Sequence, residues 1–143
     1  MIVIASDHAG VDLKARLIEL ISESGREIRD LGPADTSSVD YPDFAHAVAE
    51  ALTTGEAERG VLICGTGIGM SLTANRHTGV RAALCHDAFT AEMARRHNDA
   101  NVLCIGARST GPGVAEQMVQ IFIETPFEGG RHKRRVEKIE WEG

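Results

Sequence analysis

Short apolar runs alternate along this chain with longer stretches in which apolar residues recur every three or four positions. The short runs are typical of buried strands, whereas the recurring spacing is typical of helices with one apolar face. The pattern predicts strands over residues 1–5, 27–31, 60–64, 79–85 and 101–106. It predicts helices over residues 12–24, 43–53, 69–77, 87–97 and 112–124, and helical spacing returns over residues 130–141.

Strands that alternate with helices over short connections form right-handed βαβ units, which place the strands in parallel. The sequence therefore predicts one Rossmann-like three-layer α/β domain over residues 1–143, with a five-stranded, mostly parallel sheet and helices on both faces. The run at 27–31 is the least apolar, so we expect it near an edge of the sheet. Residues 130–141 are too polar for a core helix and are predicted to pack on a partner subunit.

Composition narrows the class of protein. Of the 143 residues, 43% are hydrophobic and 25% are charged, which is ordinary for a soluble globular domain. The formal net charge of −6 disfavours general nucleic-acid binding. Three cysteines without a CxxC pair suit reduced thiols in the cytoplasm, and no apolar stretch approaches the ~18 residues of a membrane span.

Cys64 ends the most apolar predicted strand, and glycines follow it at positions 65, 67 and 69. The carboxyl end of such a strand is where open α/β sheets bind ligands. Backbone N–H groups of this loop, with the Thr66 hydroxyl, can stabilise negative charge on a substrate oxygen, and a thiol facing the start of a helix is activated as a base. The alternatives are that Cys64 is a small core residue, as we interpret Cys85 and Cys104, and that the glycines only make a tight turn.

Other chemistries fit this loop less well. A phosphatase of the Cys-x5-Arg type needs an arginine at position 70, where the chain has Met70. A dinucleotide fingerprint needs a third glycine at position 70 or 72, and Leu72 fills the second position. The Gly-Lys-Ser/Thr of a P-loop does not occur in the sequence. Asp87, near the place of a ribose-binding acid, keeps nucleotide binding open, but the pattern favours a thiol base beside an oxyanion-binding loop.

Two further segments carry groups that transfer or bind protons. His97 ends a predicted helix and is either a helix-terminal cation or a group that moves protons near neutral pH. Asp7 and His8 follow the first strand, so they are expected on the same sheet edge as Cys64. Asp7 is also a candidate helix cap, and both roles are compatible.

The basic segment near the carboxyl terminus predicts phosphate binding. Arg131 and Arg135 are four residues apart and share one helical face, where two guanidinium groups form a fork for a phosphate monoester. Arg108 is a candidate third member. Nucleic-acid binding is disfavoured because aromatic residues do not interleave with these cations. The six histidines show no metal-binding spacing, and the remaining cations, Lys133, Arg134 and Lys138, are interpreted as a solvated face.

Five segments together resemble ribose-5-phosphate isomerase type B, in the sugar-phosphate isomerase group that includes the galactose-6-phosphate isomerase subunits. The resemblance covers essentially the whole chain in order. The segments are Ser-Asp-His-Ala-Gly at 6–10, Asp-Tyr-Pro at 40–42, Cys-Gly-Thr-Gly-Ile-Gly at 64–69, Arg-His-Asn-Asp at 96–99, and the run from Glu128 to Val136.

The resemblance implies a Rossmann-like fold and a cofactor-free, metal-free aldose–ketose isomerisation through a cis-enediolate. It implies that Cys64 is the base and that His97 helps to open the furanose ring. Some family members have serine at this position with a glutamate four residues later, whereas this chain has Cys64 and Ile68. It implies that the enediolate is bound by the Thr66 hydroxyl and by the loop of Gly65, Thr66, Gly67, Ile68 and Gly69. It implies that Asp7 and Asn98 bind the sugar. Phosphate binding is implied for four residues: His8, Arg108, Arg131 and Arg135.

The resemblance further implies a homodimer or dimer of dimers whose sites are shared between subunits. Its partner is a small sugar phosphate, neither nucleic acid nor membrane, in cytoplasmic carbohydrate metabolism such as the pentose phosphate pathway. Ribose 5-phosphate is the expected substrate, with allose 6-phosphate, galactose 6-phosphate and a tetrose phosphate as alternatives. A non-catalytic module that senses a sugar phosphate or nucleotide is the hypothesis from a different class, and the set of Cys64, Thr66 and His97 argues against it.

Overall fold

A computed structural model describes residues 1–141 and contains one sheet of five parallel strands in the order β2-β1-β3-β5-β4. The sheet confirms the predicted parallel α/β architecture, and β2 lies at an edge as its weak apolar pattern indicated. The strands are β1 (Ile2–Ser6), β2 (Ile28–Asp30), β3 (Arg59–Cys64), β4 (Ala82–Leu84) and β5 (Val102–Gly106). The helices are α1 (Val11–Glu23), α2 (Tyr41–Thr53), α3 (Ile68–Ala74), α4 (Ala88–Arg96), α5 (Pro112–Glu124) and α6 (Arg131–Glu137).

The core consists of two layers, one on each face of the sheet. Leu17 of α1 and Phe122 of α5 are buried in a cluster with alternate residues of the central strands. Val48 of α2 and Met70 of α3 are buried in a second cluster on the opposite face. Because successive strand residues point to opposite faces, the near-continuous apolar runs of β1, β3 and β5 supply both layers, which gives the predicted three-layer arrangement.

The structure differs from the predicted elements mainly at their ends. β4 is only three residues long. The Asn101 side chain donates to the carbonyl of Gly79 and accepts from the N–H of Arg81, at 2.8 Å each. These hydrogen bonds replace strand pairing before Ala82. A short 3₁₀ helix, His8–Gly10, occupies the break after β1. The last helix, α6, is shorter than the segment 130–141, and no helix within residues 1–141 is both long and apolar enough to cross a membrane.

Strand register brings three chain segments to one edge of the sheet. Ser6 of β1 pairs with Ile63 of β3, and Cys64 of β3 pairs with Gly106 of β5. All three strands are parallel and adjacent, so the residues that follow them emerge side by side. The segments after Ser6, Cys64 and Gly106 therefore lie together at the carboxyl edge of the sheet, as the sequence predicted for Asp7, His8 and Cys64.

Candidate active site

The thiol of Cys64 lies at the start of the glycine-rich loop between β3 and α3. Cys64 is only 6% exposed, and its Sγ accepts a hydrogen bond from the N–H of Gly67 at 3.1 Å. Gly67 has a φ of +79°, a conformation that favours glycine and turns its N–H back toward the sulfur. The sulfur is therefore held by the main chain of the loop that the sequence indicated.

The other two cysteines behave as core residues. Burial raises the pKa of Cys85 to about 11, and burial also raises the pKa of the fully buried Cys104. Both thiols consequently stay protonated at neutral pH. Cys64 is the one cysteine of the chain placed beside a loop of main-chain donors.

The predicted oxyanion-binding loop has fewer free amide donors than the sequence indicated. The N–H of Gly67 donates to the Cys64 sulfur, and the N–H of Ile68 donates to the Thr66 hydroxyl at 3.3 Å. Thr66 and Ile68 are exposed at the rim of the loop. Two of the five predicted amide donors are thus engaged within the loop itself.

Tyr41 is a residue at this site that sequence reasoning did not assign. A Cβ atom at Gly69 would overlap its ring, so the absence of a side chain at Gly69 lets the ring pack directly on the loop. Tyr41 begins α2 and remains 40% exposed. The only sequence signal for it is the Asp-Tyr-Pro segment at 40–42, which carried the resemblance without a stated role.

Asp7, His8 and Arg108 lie at the same edge of the sheet as this loop. The carboxylate of Asp7 accepts from the N–H of Ala9 at 2.9 Å. Asp7 therefore caps the 3₁₀ helix, as predicted for it as a candidate helix cap. His8 Nδ1 accepts from the N–H of Val39 at 3.3 Å, which leaves the ring proton of a neutral His8 on Nε2. The N–H of Arg108 donates to the carbonyl of Gly65 at 2.9 Å, and its guanidinium covers Gly65. We call this set, together with Cys64 and residues 65–69, the carboxyl-edge group.

His97 lies at the opposite edge of the sheet. It caps the carboxyl end of α4, whereas Cys64 pairs with Gly106 at the far end of β5. The four residue steps of β5 alone separate these ends by about 13 Å, at about 3.3 Å per residue. Cys64 and His97 of one chain therefore do not meet.

The remaining predicted residues lie with His97. Asn98 and Arg135 line a pocket of about 320 Å³ with His97 and His132. Arg131 is exposed at the first position of α6, one turn before Arg135. The suggested grouping of Arg108 with these two arginines is wrong within a single chain, because Arg108 belongs to the carboxyl-edge group. We call His97, Asn98, Arg131 and Arg135 the α6 group.

A buried ion-pair network fixes the segment that carries His97. Arg95 is 2% exposed and donates to the carboxylate of Asp99 at 2.9 Å, to the carbonyl of Ala100 at 2.6 Å and to the carbonyl of Thr125 at 3.0 Å. Asp99 has a φ of +46°, an uncommon conformation for a residue with a side chain. The network thus holds the strained turn immediately after His97 and Asn98.

We predict that Arg95→Met lowers the free energy of unfolding by about 2–3 kcal/mol, because buried acceptors lose their donor. Asp99 is one-third exposed, which moderates the loss. Arg96→Met is the matched control, since the neighbouring Arg96 pairs with Glu92 at the surface and such pairs contribute under about 1 kcal/mol. Urea unfolding of both variants measures the difference, and equal midpoints would contradict the network's role.

Two further side chains, those of Glu128 and His132, lie beside His97 of the α6 group. Nε2 of His97 is 3.9 Å from one carboxylate oxygen of Glu128, and Nε2 of His132 is 3.9 Å from the other. The ring centroids of His97 and His132 are 4.4 Å apart with an interplanar angle of 16°. Sequence reasoning gave Glu128 and His132 no role, and their only signal was membership of the last resembling segment.

These residue types are those of a metal site, but their arrangement does not fit one. The candidate ligand atoms of His97, Glu128 and His132 lie within 4.8 Å of one another. A metal ion lies in the plane of each imidazole that binds it. The lone pairs of two nearly parallel rings run side by side and do not converge on one ion, so we interpret the set as a stacked pair beside a carboxylate.

Asp87 has a structural role. Its carboxylate accepts from the N–H of Thr90 at 2.7 Å and caps α4, and this hydrogen bond lowers the pKa of Asp87. The proposed ribose-binding acid of a nucleotide site is therefore a helix cap.

Fold and candidate site together define a parallel α/β protein with a cysteine in a glycine-rich loop at one edge of its sheet and a histidine beside two arginines at the other. The Ribose/Galactose Isomerase family matches the chain over residues 2–139. A solved structure of Clostridium thermocellum ribose-5-phosphate isomerase B superimposes with a TM-score of 0.95 at 46% identity, covering 96% of this chain and 93% of that one. The chain belongs to the Ribose/Galactose Isomerase family.

Curated relatives agree on the reaction class and differ in the sugar. Ribose-5-phosphate isomerase B of Escherichia coli (strain K12) is 42% identical over 133 residues, covering 93% of this chain and 89% of that protein. D-erythrulose-4-phosphate isomerase of Pectobacterium atrosepticum is 40% identical over 140 residues, covering 96% of this chain and 91% of that protein. The chain is an enzyme of the aldose–ketose isomerase type that acts on a sugar phosphate.

Proposed function

We propose that this enzyme interconverts ribose 5-phosphate and ribulose 5-phosphate. The observation that carries the proposal is the placement of the Cys64 sulfur in the glycine-rich loop, at the sheet edge that also carries Asp7, His8 and Arg108. A base beside main-chain donors suits proton abstraction next to a carbonyl, since the donors stabilise the enediolate oxygen as charge develops.

In the proposed reaction, His97 takes the proton of the anomeric hydroxyl and returns it to the ring oxygen as the bond between C1 and that oxygen breaks. The aldehyde forms, and His97 ends neutral. Cys64 as thiolate then removes the proton from C2, giving the cis-enediolate, and the proton of the C2 hydroxyl passes to O1. The Cys64 thiol exchanges its proton with solvent and delivers a proton to C1, so that the C2 carbonyl forms and the thiolate is restored. The Thr66 hydroxyl and the loop amides other than those of Gly67 and Ile68 hold the developing oxyanion, while Asp7 and Asn98 bind sugar hydroxyls. Phosphate is bound by His8, Arg108, Arg131 and Arg135.

We further propose that each site forms between two copies of the chain. The carboxyl-edge group and the α6 group lie at opposite sheet edges, so a second copy must supply one of them. Exposed apolar side chains offer a surface for such contact: Ile68 is 50%, Leu72 61% and Phe89 67% exposed. A two-fold dimer in which α6 crosses to the partner would create two equivalent sites.

The substrate is tested by measuring kcat/KM for a panel of aldose phosphates in chelator-treated buffer. We expect ribose 5-phosphate to have the highest value. Preference for a tetrose phosphate is the second candidate, supported by the similarity to the Pectobacterium atrosepticum enzyme. A higher value for a tetrose or hexose phosphate would overturn the ribose assignment while leaving the reaction class intact.

We predict that Arg131→Ala raises KM about 10–100-fold with a smaller effect on kcat. The side chain is exposed at the start of α6, and a lost hydrogen bond between charged groups costs about 1.5–3 kcal/mol. Arg134→Ala is the matched control, because it removes an exposed guanidinium from the same helix but outside the proposed fork. Steady-state kinetics with ribose 5-phosphate measures both, and an unchanged KM in Arg131→Ala would refute the phosphate role.

A further inference from the structure

The carboxylate of Glu128 lies beside the edges of two stacked imidazole rings at the end of α4. It is 3.9 Å from Nε2 of His97 and 3.9 Å from Nε2 of His132, so neither ring is directly hydrogen-bonded to it but both face it. The N–H of Glu128 donates to the carbonyl of Arg96 at 3.1 Å, which ties its main chain to the helix that ends in His97. We call His97, Glu128 and His132 the His97 cluster.

The turn after Glu128 brings His132 onto the ring of His97. Gly129 and Gly130 both have positive φ, +69° and +55°, which reverses the chain into α6 within two residues. His132 is then 7% exposed and stacks on His97 at 4.4 Å between ring centroids. Burial and the nearby His97 lower the pKa of His132, so the ring that stacks on His97 is uncharged at neutral pH.

From this geometry we infer that Glu128 and His132 are positioning residues for His97, Glu128 by orienting its ring nitrogen and His132 by supporting its ring face. The inference rests on the proposed function, because it assigns His97 the ring-opening proton transfer. A proton on Nε2 of His97 faces the Glu128 carboxylate, which places the lone pair of the neutral ring on Nδ1. Nδ1 is then the atom that takes the anomeric proton and returns it to the ring oxygen.

A carboxylate that orients one nitrogen of a histidine leaves the other nitrogen to exchange protons with substrate, and it stabilises the imidazolium that forms transiently. His97 keeps 41% of its side chain exposed, so it remains accessible to a substrate bound by the partner's carboxyl-edge group. The charged groups that face the cluster are Arg96, 3.9 Å from the Glu128 carboxylate, Arg131 near His132, and Arg135 in the adjoining pocket. Glu128 is the one carboxylate in this set, so its negative charge is the one that can orient Nε2 of His97.

The experiment compares Glu128→Gln with Glu92→Gln in the full-length enzyme. Both carboxylates pair with Arg96, but only Glu128 contacts His97. Two rates are measured for each protein: net conversion of ribose 5-phosphate, and exchange of the C1 proton of ribulose 5-phosphate with deuterated solvent. Ribulose 5-phosphate has no furanose ring, so its exchange needs the Cys64 thiolate but no ring opening.

We expect Glu128→Gln to lower kcat for ribose 5-phosphate about 10–100-fold, with KM within about twofold and the exchange rate retained. Glu92→Gln should match the wild-type enzyme in both rates. His132→Phe keeps a flat ring under His97 and should retain more than half of kcat, whereas His132→Ala should lose about tenfold.

Wild-type kcat in Glu128→Gln would overturn the inference, and so would equal loss of turnover and exchange, because that would show general damage to the site. A wild-type enzyme that neither converts ribose 5-phosphate nor exchanges the C1 proton would contradict the proposed function itself. The two failures are therefore distinguishable.

Discussion

Cys64→Ala should lower kcat for ribose 5-phosphate by at least about 10³-fold, since a positioned acid–base group contributes about 10²–10⁴-fold and no second base lies in the loop sequence Gly65 to Gly69. Binding should persist, because Asp7 and the arginines proposed to bind phosphate are untouched. The dissociation constant of ribitol 5-phosphate, an alditol that cannot react, is expected to stay within about threefold of wild type when measured by calorimetry.

Cys85→Ala is the matched control for loss of a thiol. Cys85 is also buried, but its raised pKa of about 11 keeps it protonated, and it belongs to the core layer on the opposite face of the sheet from Cys64. It should keep wild-type kcat at a temperature well below its midpoint of unfolding. Turnover by Cys64→Ala above about 1% of wild type would remove Cys64 from the role of base.

Mixing two inactive variants should restore activity. A dimer of Cys64→Ala with His97→Asn has one site in which both residues are altered and one in which the intact carboxyl-edge group meets the intact α6 group. After unfolding and refolding together, half of the dimers are mixed and half of their sites are intact, so about one quarter of wild-type activity should return.

Cys64→Ala mixed with Arg108→Ala is the control, because both residues belong to the carboxyl-edge group. Each site takes its whole carboxyl-edge group from one subunit. Each site of the mixed dimer therefore lacks either Cys64 or Arg108, and no activity should return. If the Cys64 and His97 variants fail to complement although mixed dimers co-purify through a tag carried by one variant alone, the shared site is wrong.

The sheet and the placement of Asp7, His8 and Cys64 at one edge of it were predictable because local patterns determine them. The apolar runs that become β1, β3 and β5 lie at the centre of the sheet, and parallel strands must deliver Asp7 and Cys64 to one edge. The first residue of β4, Ala82, was not predictable. The Asn101 side chain, which replaces strand pairing before Ala82, acts across 20 residues of sequence.

The second half of the site could be predicted only as a set of residue types. Helical spacing placed Arg131 and Arg135 on one face, but it gave no information on where α6 lies relative to the sheet. The contact between His97 and His132 depends on two glycines with positive φ, and residue spacing does not encode that turn. Tyr41 was missed for a similar reason, since its contact with Gly69 joins two helices far apart in sequence.

Incubation of the wild-type enzyme with ribose 5-phosphate in deuterated, metal-free buffer tests the central proposal most directly. Proton transfer through an exchanging thiol predicts ribulose 5-phosphate that carries deuterium at C1, observed by NMR. Ribulose 5-phosphate free of deuterium, or substrate that stays unchanged, would contradict a proton shuttled by Cys64.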